Sequence, residues 1–435
     1  MSLTKIKNFT VSNNNSYFIS ALLFVVILCI CGCDTAYNSL SNKNVSSIYN
    51  PSGKKITPEI LTYNLSDTVT KVFVKINPAE VFGEKIDSAE VFETQLYLQY
   101  KLFNSYNEVE IVDSATIVLN LKSSAKEPFI TTFLLKTPIL KEYVLEVDIL
   151  NQLKVVKSIL FKEIDKSKIG VATDYLISSD KYKTPFFFNW VNKDVIINIT
   201  SERANNTKLF VKYYQNINRM PSPPFSLSGN KAINLKPDST WQINLSDSCK
   251  IAISKIGFYK ISPDSIGDSG FIILCFNDNY PLVETSEKLL QPLRYLTSAK
   301  EFNDMDMFAD KKNAVDNFWL KSAGNASRAK ALIKIFYSRV IFANVYFISY
   351  KEGWMTDRGM MYIILGPPSI VYKTKNAEKW IYTQSSIGNL SFIFQKVENK
   401  FTDNDYELFR TDSYKSVWYQ AIETWRSGRV FAISK

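Results

Sequence analysis

The stretch KEGWMTDRGMMYIILGPP, residues 351–368, places two glycines, a tryptophan, a threonine and an acid–base pair within seven positions. Gly353 can cap a preceding helix, because glycine adopts a left-handed backbone without a Cβ penalty. The run MMYIIL (360–365) is typical of a short strand, and Gly366 with Pro367 breaks it because proline cannot donate to a ladder. We therefore predict a helix–turn–strand–turn unit.

The side chains of this stretch each have an architectural use. Trp354 is expected to fill the gap beneath the turn. Thr356 and Asp357 are residue types that bond free backbone amides at turns. Arg358 can pair with a carboxylate, and Gly359 releases the chain into the predicted strand.

Helical patterns precede this unit and short strands follow it. Ser298 and Glu301 form a capping box that predicts the start of one helix. Residues 326–352 contain neither proline nor glycine, and their apolar positions recur on one face, which predicts a long, largely buried helix ending near Gly353. Two strands are predicted downstream, and a last helix carrying Trp425 starts near residue 413. Residues 290–431 are thus expected to form an α+β domain.

The region before residue 290 is rich in β patterns. EYVLEVDI (142–149) alternates apolar and polar residues, as half-buried antiparallel strands do, and residues 58–165 are predicted to form a sandwich. A second sandwich is predicted over 184–282, with FFFNW (186–190) and IAISKIGFY (251–259) among its strands. The expected fold class is multidomain and mainly β: two N-terminal antiparallel β-sandwich modules followed by the α+β domain.

The N-terminal residues resemble an export signal. Two lysines precede an uncharged apolar run over 17–30, which is too short to span a bilayer comfortably. The run closes on Ile30-Cys31-Gly32-Cys33, which is similar to a bacterial lipobox and favours a signal peptide over 1–32 with acylation of Cys33. The alternative is an ordinary cleavage site with an incidental cysteine. Residues 33–57 are polar and lack periodicity, which predicts a flexible tether.

Composition excludes several functions. The chain has no histidine, which removes Ser-His-Asp and Cys-His catalysis and the commonest zinc ligand. The net charge of +10 is spread without a basic block, so no nucleic-acid partner is expected.

Cys249 and Cys275 are expected either to form a disulfide or to remain two buried thiols. Asp405 and its acidic neighbours lack the EF-hand glycine, and neither a metal nor a cofactor is expected.

The motif also carries a family resemblance. Gly353-Trp354-Met355-Thr356-Asp357 matches the pattern after which the GWxTD-domain proteins of Bacteroidota and their relatives are named. The similarity continues through Arg358-Gly359, Tyr362-Ile363-Ile364, Gly366-Pro367-Pro368, Trp380-Ile381-Tyr382, Asn404-Asp405-Tyr406-Glu407-Leu408, Trp418-Tyr419 and Trp425-Arg426-Ser427-Gly428-Arg429. It implies an envelope lipoprotein of such a bacterium, most consistent with the outer membrane, and it implies no particular reaction. The matching residues are the candidates for an interaction site.

Three functions follow as hypotheses. The first is a lipid-anchored, non-enzymatic scaffold or interaction module that binds another envelope protein. The second is a glycan-binding lipoprotein, because five of the seven tryptophans lie in the C-terminal domain. The third is a carboxylate-dependent hydrolase, for which Asp357 and Asp405 are nominal candidates. Arg426 and Arg429 could clamp a phosphate or carboxylate, although structural ion pairs are favoured.

Overall fold

The structure is a computed structural model that describes most of residues 39–431; its gaps are 51–55, 84, 86–89, 125–126, 139–140, 154, 182, 205–207, 216–218, 228–234, 246–248, 267–268, 278 and 385–387. The expected signal peptide (1–32) and Cys33 lie outside the described residues. Within the described part, no helix has the length and apolar character needed to cross a membrane. The chain is mainly β, with several antiparallel sheets and a helical region towards its C-terminus.

Two facing sheets build the first domain. Its elements are β1 (Glu59–Asn64), β2 (Val69–Ile76), α1 (Pro78–Phe82), β3 (Glu93–Phe103), β4 (Ile111–Lys122), β5 (Phe129–Lys136), β6 (Glu142–Leu150) and β7 (Val156–Asp165). The sheets have the orders β1-β2-β5 and β4-β3-β6-β7, and all their pairs are antiparallel. Alternate residues such as Leu98, Leu145 and Val147 face a common core. The period-two pattern therefore predicted this sandwich correctly.

A second pair of sheets follows. Its strands are β8 (Leu176–Ser179), β9 (Trp190–Asn192), β10 (Val195–Thr200), β11 (Lys208–Gln215), β12 (Ser239–Asn244), β13 (Cys249–Ile253), β14 (Gly257–Ser262) and β15 (Phe271–Phe276). The orders are β13-β10-β8 and β12-β11-β14-β15-β9. Cys249 and Cys275 lie in opposite sheets and are buried free thiols. Burial raises the pKa of the Cys275 thiol to about 11.

Two strand predictions in this domain are wrong. The single strand expected over 251–259 is two strands in different sheets. Gly257 makes the change of sheet possible, because it has φ +141° and a Cβ there would lie 2.3 Å from the Tyr214 carbonyl oxygen. In FFFNW only Trp190 belongs to a strand, since three successive aromatic residues offer none of the alternation that a strand needs to bury one face.

The C-terminal domain packs helices on one four-stranded antiparallel sheet. Its elements are α2 (Ser286–Leu290), α3 (Ala299–Asp306), α4 (Lys311–Ala323), α5 (Ala326–Phe347), α6 (Asp357–Leu365), β16 (Ile370–Lys373), β17 (Ala377–Gln384), β18 (Gly388–Lys396), β19 (Tyr406–Leu408) and α7 (Lys415–Arg426). The sheet order is β16-β17-β18-β19. A single apolar core joins this sheet to α5, α6 and α7.

The strand predicted at 360–365 is wrong, because these residues belong to helix α6. The Thr356 side chain caps this helix by accepting a hydrogen bond from the Gly359 amide at 3.0 Å, and Asp357 lies in its first turn. Every residue from Asp357 to Leu365 is buried. An apolar run that is buried on all sides shows no periodicity in its sequence. The sequence pattern therefore could not distinguish a strand from a helix.

The flexible tether predicted over 33–57 is wrong for residues 39–50, which we call the N-terminal strap. The Ser41 amide donates to the Tyr106 carbonyl in the first sandwich, and the Val45 amide donates to the Val371 carbonyl on β16, both at 2.9 Å. Only Leu40, Val45 and Tyr49 bury large apolar groups, which is too sparse a set for sequence periodicity to reveal. The strap connects the first sandwich with the C-terminal domain.

Buried polar contacts also join the two sandwiches. Asp174 is fully buried and accepts hydrogen bonds from Arg203 Nη1 at 2.9 Å and from Asn64 Nδ2 at 2.8 Å. Asn64 belongs to the first sandwich, whereas Arg203 follows β10 of the second. On the other side, the proline-rich loop 220–226 contacts the C-terminal domain, where Arg410 Nη2 donates to the Ser222 carbonyl at 3.2 Å.

Candidate functional site around residues 353–359

The two motif glycines allow backbones to approach closely. A Cβ on Gly353 would lie 2.0 Å from the Ala343 carbonyl oxygen of α5, and one on Gly359 would lie 2.0 Å from the Gly353 carbonyl oxygen. The prediction that Gly353 ends the long helix is wrong, because α5 ends at Phe347. The chain needs glycine at 353 because the segment folds back against α5, which local sequence does not reveal.

Trp354 is held at three points and is only 4% exposed. Its backbone amide donates to Asn344 Oδ1 at 3.1 Å, and its carbonyl accepts from the Tyr295 hydroxyl at 2.8 Å. The indole Nε1–H donates to Glu352 Oε2 at 3.0 Å. The tryptophan therefore fills the space beneath the turn, and Glu352 marks its outer edge.

Asp357 ties the start of α6 to the last strand of the sheet. Its Oδ2 accepts from the Leu408 amide at 2.7 Å, and its Oδ1 accepts from Arg410 Nη2 at 2.6 Å. Both carboxylate oxygens are engaged inside the domain. Thr356 is similarly occupied, since its hydroxyl also donates to the Gly353 carbonyl at 2.7 Å.

Arg358 forms a buried ion pair with Glu378 on β17, in which Nη1 lies 2.9 Å from Oε1. The Tyr49 hydroxyl of the strap also donates to Glu378 Oε1 at 2.9 Å, and the Trp380 indole donates to Oε2 at 3.0 Å. Burial acts to raise the pKa of Glu378, but Arg358, Lys373 and these hydrogen bonds hold it below its ordinary value. Glu378 is therefore a buried anion that requires its partners.

The remaining contacts of Arg358 fix the loop before β19. Its Nη2 donates to both oxygens of Asn404, the carbonyl at 2.9 Å and Oδ1 at 2.5 Å. The guanidinium carbon lies 4.0 Å from the centre of the Tyr406 ring. Asn404 in turn donates through Nδ2 to the Ile348 carbonyl at 2.9 Å, just beyond the end of α5. One arginine thereby connects helix α6, the sheet and the chain segment following α5.

Arg339, on the buried face of α5, is a further structural cation that sequence reasoning missed. Its Nη1 donates to the Ile363 carbonyl at 3.0 Å, at the C-terminal end of α6, and its Nη2 donates to the Phe431 carbonyl at 3.1 Å. Burial lowers the pKa of this guanidinium to about 10. Gly366 has φ +89° and leaves room for it, because a Cβ there would lie 2.8 Å from Arg339 Nη2. The available signal was an arginine at a core position of an apolar helix.

Several predicted site residues are structural supports of the same core. The Tyr382 hydroxyl donates to the Gly366 carbonyl at 2.9 Å, and the Trp425 indole donates to the Ile364 carbonyl at 3.0 Å. Trp380 is fully buried. Pro367 is exposed at the end of α6 and contributes no polar group. These residues surround α6 and do not form an open cleft.

The other charged candidates lie apart from one another. Arg426 Nη1 pairs with Glu301 Oε2 at 2.8 Å on the far side of the helices, whereas Arg429 is exposed and its Nη2 lies 3.4 Å from Ser427 Oγ. Asp405 is half-buried, and burial raises the pKa of its carboxyl against the opposing effect of Lys351. In the described part of the chain, no cluster of acidic or thiol side chains has a metal-binding arrangement.

The domain has two notable surface cavities. One of about 370 Å³ lies between α3 and α4 and includes Met305, Phe308 and Phe318 in its wall. The other, of about 180 Å³, lies beside the motif and includes Glu352 and Trp354 in its wall. The second cavity is the place where the motif reaches the surface.

The Tyr49 contacts predict that the strap stabilises the C-terminal domain. Replacing Tyr49 by phenylalanine removes a hydrogen bond to a charged group, which is expected to lower the free energy of unfolding by about 1.5–3 kcal/mol. Replacing it by alanine also removes ring packing against Phe347 and Trp380, so a loss of at least 3–5 kcal/mol (about the cost of large aromatic truncations) is expected.

Urea unfolding of the full chain, followed by tryptophan emission, measures these two losses, because five of the seven tryptophans report on this domain. Tyr419→Phe is the matched control, since that ring is about half exposed. An unfolding midpoint for Tyr49→Ala equal to that of the control would show that the strap does not stabilise the domain.

The fold and this network define a class: a two-sandwich β protein whose α+β domain is assembled around a buried arginine–glutamate pair. Residues 257–427 match the GWxTD domain, so this part of the chain carries a GWxTD domain. The matched region starts at Gly257 on β14, so it includes the last strands of the second sandwich as well as the helices and sheet that follow. No curated protein matches the chain.

Some solved structures match part of this chain at low similarity. A β-glucuronidase of Bacteroides uniformis is 13% identical with a TM-score of 0.19, and the match covers 30% of this chain and 14% of that enzyme. A glycosyl hydrolase family 2 member of Bacteroides cellulosilyticus is 11% identical with a TM-score of 0.18, over 32% of this chain and 17% of that one. Escherichia coli alpha-2-macroglobulin is 10% identical with a TM-score of 0.14, over 52% and 24%. Likenesses at these scores carry no inference about activity.

Proposed function

We propose that this protein is a lipid-anchored component of the bacterial cell envelope, most consistent with the outer membrane, that serves as a non-enzymatic interaction module for another envelope protein. The observation that carries the proposal is the state of the motif side chains. Thr356, Asp357 and Arg358 are all buried and engaged in internal hydrogen bonds. The polar groups of the motif therefore stabilise the fold, and the surface that the motif supports is available to bind a partner.

The position of the strap adds a geometric argument. If Cys33 is acylated, only five residues separate it from Ser39, the first described residue. An extended chain of that length reaches at most about 20 Å. The first sandwich and the C-terminal domain, which the strap connects, would then lie near the bilayer surface. A partner for such a protein is expected in or at the same membrane.

The hydrolase alternative is weakened by the surroundings of its two candidates. A glycosidase requires two carboxyl groups facing an open space in which the sugar is held. Asp357 is 2% exposed, and both of its oxygens accept hydrogen bonds from the protein. Asp405 is half-buried, and its Oδ2 accepts a hydrogen bond from Asn399 Nδ2 at 3.4 Å.

The glycan alternative loses its original motivation. All five tryptophans of the C-terminal domain, Trp319, Trp354, Trp380, Trp418 and Trp425, are buried and offer no face to a sugar ring. Trp241, on strand β12 of the second sandwich, is 36% exposed and is one platform that remains for this hypothesis.

The experiment that tests the proposal is affinity purification of the tagged full-length protein from its own host in mild detergent. We expect stoichiometric recovery of an envelope protein together with a fatty-acid label on the chain. Cys33→Ala is the control, and it is expected to remove the label and release the protein from the membrane fraction. Recovery of the wild-type protein alone would contradict the interaction role, and an unlabelled wild-type chain would contradict the anchor.

A further inference from the structure

The cavity of about 180 Å³ beside Trp354 has the dimensions of a single side chain. Small-molecule sites are larger, usually about 300–1,000 Å³. Leu282, Val283 and Met355 supply apolar wall, and Leu282 is 43% exposed at the rim. The cavity thus accepts a chain of methylene groups that enters from the protein surface.

Two acidic side chains, Glu287 and Glu352, also lie in the wall of this cavity. Glu352 Oε2 accepts the indole hydrogen bond of Trp354, whereas Oε1 accepts no hydrogen bond from the residues that the structure describes. Burial raises the pKa of Glu352 above its ordinary value, although Lys288 and the indole act in the opposite direction. A carboxylate with a free oxygen in a poorly hydrated place gains most from an added cation.

Lys288 does not satisfy this carboxylate directly. It lines the same cavity and is half-buried, and it acts on Glu352 through its charge without a direct ion pair. The apolar part of the wall and the available oxygen of Glu352 match a lysine, whose methylene stem packs while its ammonium donates. A bidentate arginine fork would have to share Oε2 with the indole hydrogen of Trp354, whereas a lysine needs Oε1 alone.

We propose that this cavity receives a lysine side chain of the partner envelope protein, with its ammonium on Glu352 Oε1 and its methylenes against Leu282, Val283 and Met355. This inference rests on the proposed function, because it identifies the surface and the chemistry by which the interaction module recognises its partner. It gives Trp354 of the motif a direct use, because its indole orients Glu352.

The first test uses N-acetyl-lysine methylamide as the probe and the uncharged norleucine analogue as its match. The full-length protein, labelled with nitrogen-15 at tryptophan, is titrated while its indole N–H signals are followed by NMR. The Trp354 signal is identified by its displacement in Glu352→Gln. We expect a saturable shift of that signal in the millimolar range with the lysine probe and none with the norleucine probe.

Glu352→Gln is expected to weaken the lysine probe about tenfold or more, the loss typical of a charged hydrogen bond. Glu423→Gln, an exposed acid on α7, is the matched control and should leave the titration unchanged. Urea unfolding verifies that both variants remain folded. Equal shifts with the two probes, or no shift in wild type, would overturn the inference. A shift that appears only in Lys288→Met would also overturn it, because Lys288 would then occupy the cavity itself.

The second test repeats the purification from the host with Glu352→Gln. Loss of the partner from the variant, with retention in Glu423→Gln, supports the lysine site. If the variant retains the partner as fully as wild type, the site is wrong while the interaction role stands. If wild type has no partner, the proposed function fails, and the peptide-amide titration still decides whether the cavity takes a lysine.

Discussion

Replacing Arg358 by methionine is expected to lower the free energy of unfolding of the C-terminal domain by about 3–5 kcal/mol, the usual loss when one partner of a buried ion pair is removed. Glu378 is fully buried, and without Arg358 its hydrogen-bonding partners are the neutral Tyr49 and Trp380 side chains. The nearest other cation is Lys373, whose Nζ lies 4.0 Å from Glu378 Oε1. Removal of the arginine therefore leaves a poorly compensated charge in the core.

A double variant separates this effect from a loss of packing. Arg358→Met together with Glu378→Gln removes both charges, so it should be clearly more stable than Arg358→Met alone. Lys312→Met is the control, because Lys312 belongs to an exposed pair with Asp316 and its loss should leave the unfolding midpoint unchanged. Urea unfolding followed by tryptophan emission measures all of them. The buried-charge explanation is wrong if the double variant is no more stable than the single one.

The same pair gives the C-terminal domain a defined acid sensitivity. Because the pKa of Glu378 is lower in the folded protein than its ordinary value, its contribution to stability is present above the pKa of an unfolded glutamate. That contribution is lost as the pH falls through the folded pKa. Glu378→Gln should therefore reduce the dependence of the unfolding midpoint on pH in the acidic range.

Gly353→Ala is expected to have the second large effect. The new methyl carbon would lie 2.0 Å from the Ala343 carbonyl oxygen, so the segment 353–359 must move away from α5 or unfold. Overpacking of a core typically lowers stability by about 1–3 kcal/mol, and a clash with the rigid backbone of Ala343 and Asn344 places this substitution at or above that upper value. Trp354 would lose its hydrogen bond to Asn344 as the segment moves.

Gly324→Ala is the matched control for that substitution. Gly324 follows α4 with φ +76° and has no atom within 4 Å of an added Cβ, so alanine there introduces backbone strain alone. That strain is worth roughly 1–2 kcal/mol. Unfolding of both variants is compared by the same tryptophan signal. Equal midpoints would mean that the close approach at Gly353 does not constrain the domain.

Helices and strands whose sequence signals are local could be predicted from the sequence. The strands of the first sandwich alternate apolar and polar residues because one face is buried, and α5 shows a helical apolar face because it packs on one side. Ser298 begins α3 through its bond to the Glu301 amide, as the capping pattern predicted. Gly324 and Gly428 adopt positive φ where helices end. In each case neighbouring residues alone determine the outcome.

Elements that depend on distant contacts were not predictable in the same way. Helix α6 is buried on every side, so its apolar run carries no period and predicts a strand as readily as a helix. The strap has three anchoring residues in a polar segment, and each finds its place only in a groove built by chain more than fifty residues away. The candidate site shows the same division. Arg358 was expected to pair with a carboxylate, but the sequence could not identify Glu378 as that partner or Tyr49 as a second donor to Glu378.

The sequence alone determined the mainly β class, the sandwich-then-α+β order, the family motif and the absence of histidine chemistry, because these follow from composition, periodicity and local turn residues. Tertiary structure alone decided what the motif does. It placed Gly353 against the Ala343 carbonyl, used Asp357 and Arg358 inside the core, and left one oxygen of Glu352, in a surface cavity, without a hydrogen bond from the described residues. Those outcomes depend on which residues from distant parts of the chain contact each side chain. The free energy of such a contact is set by those neighbours and not by the residue type.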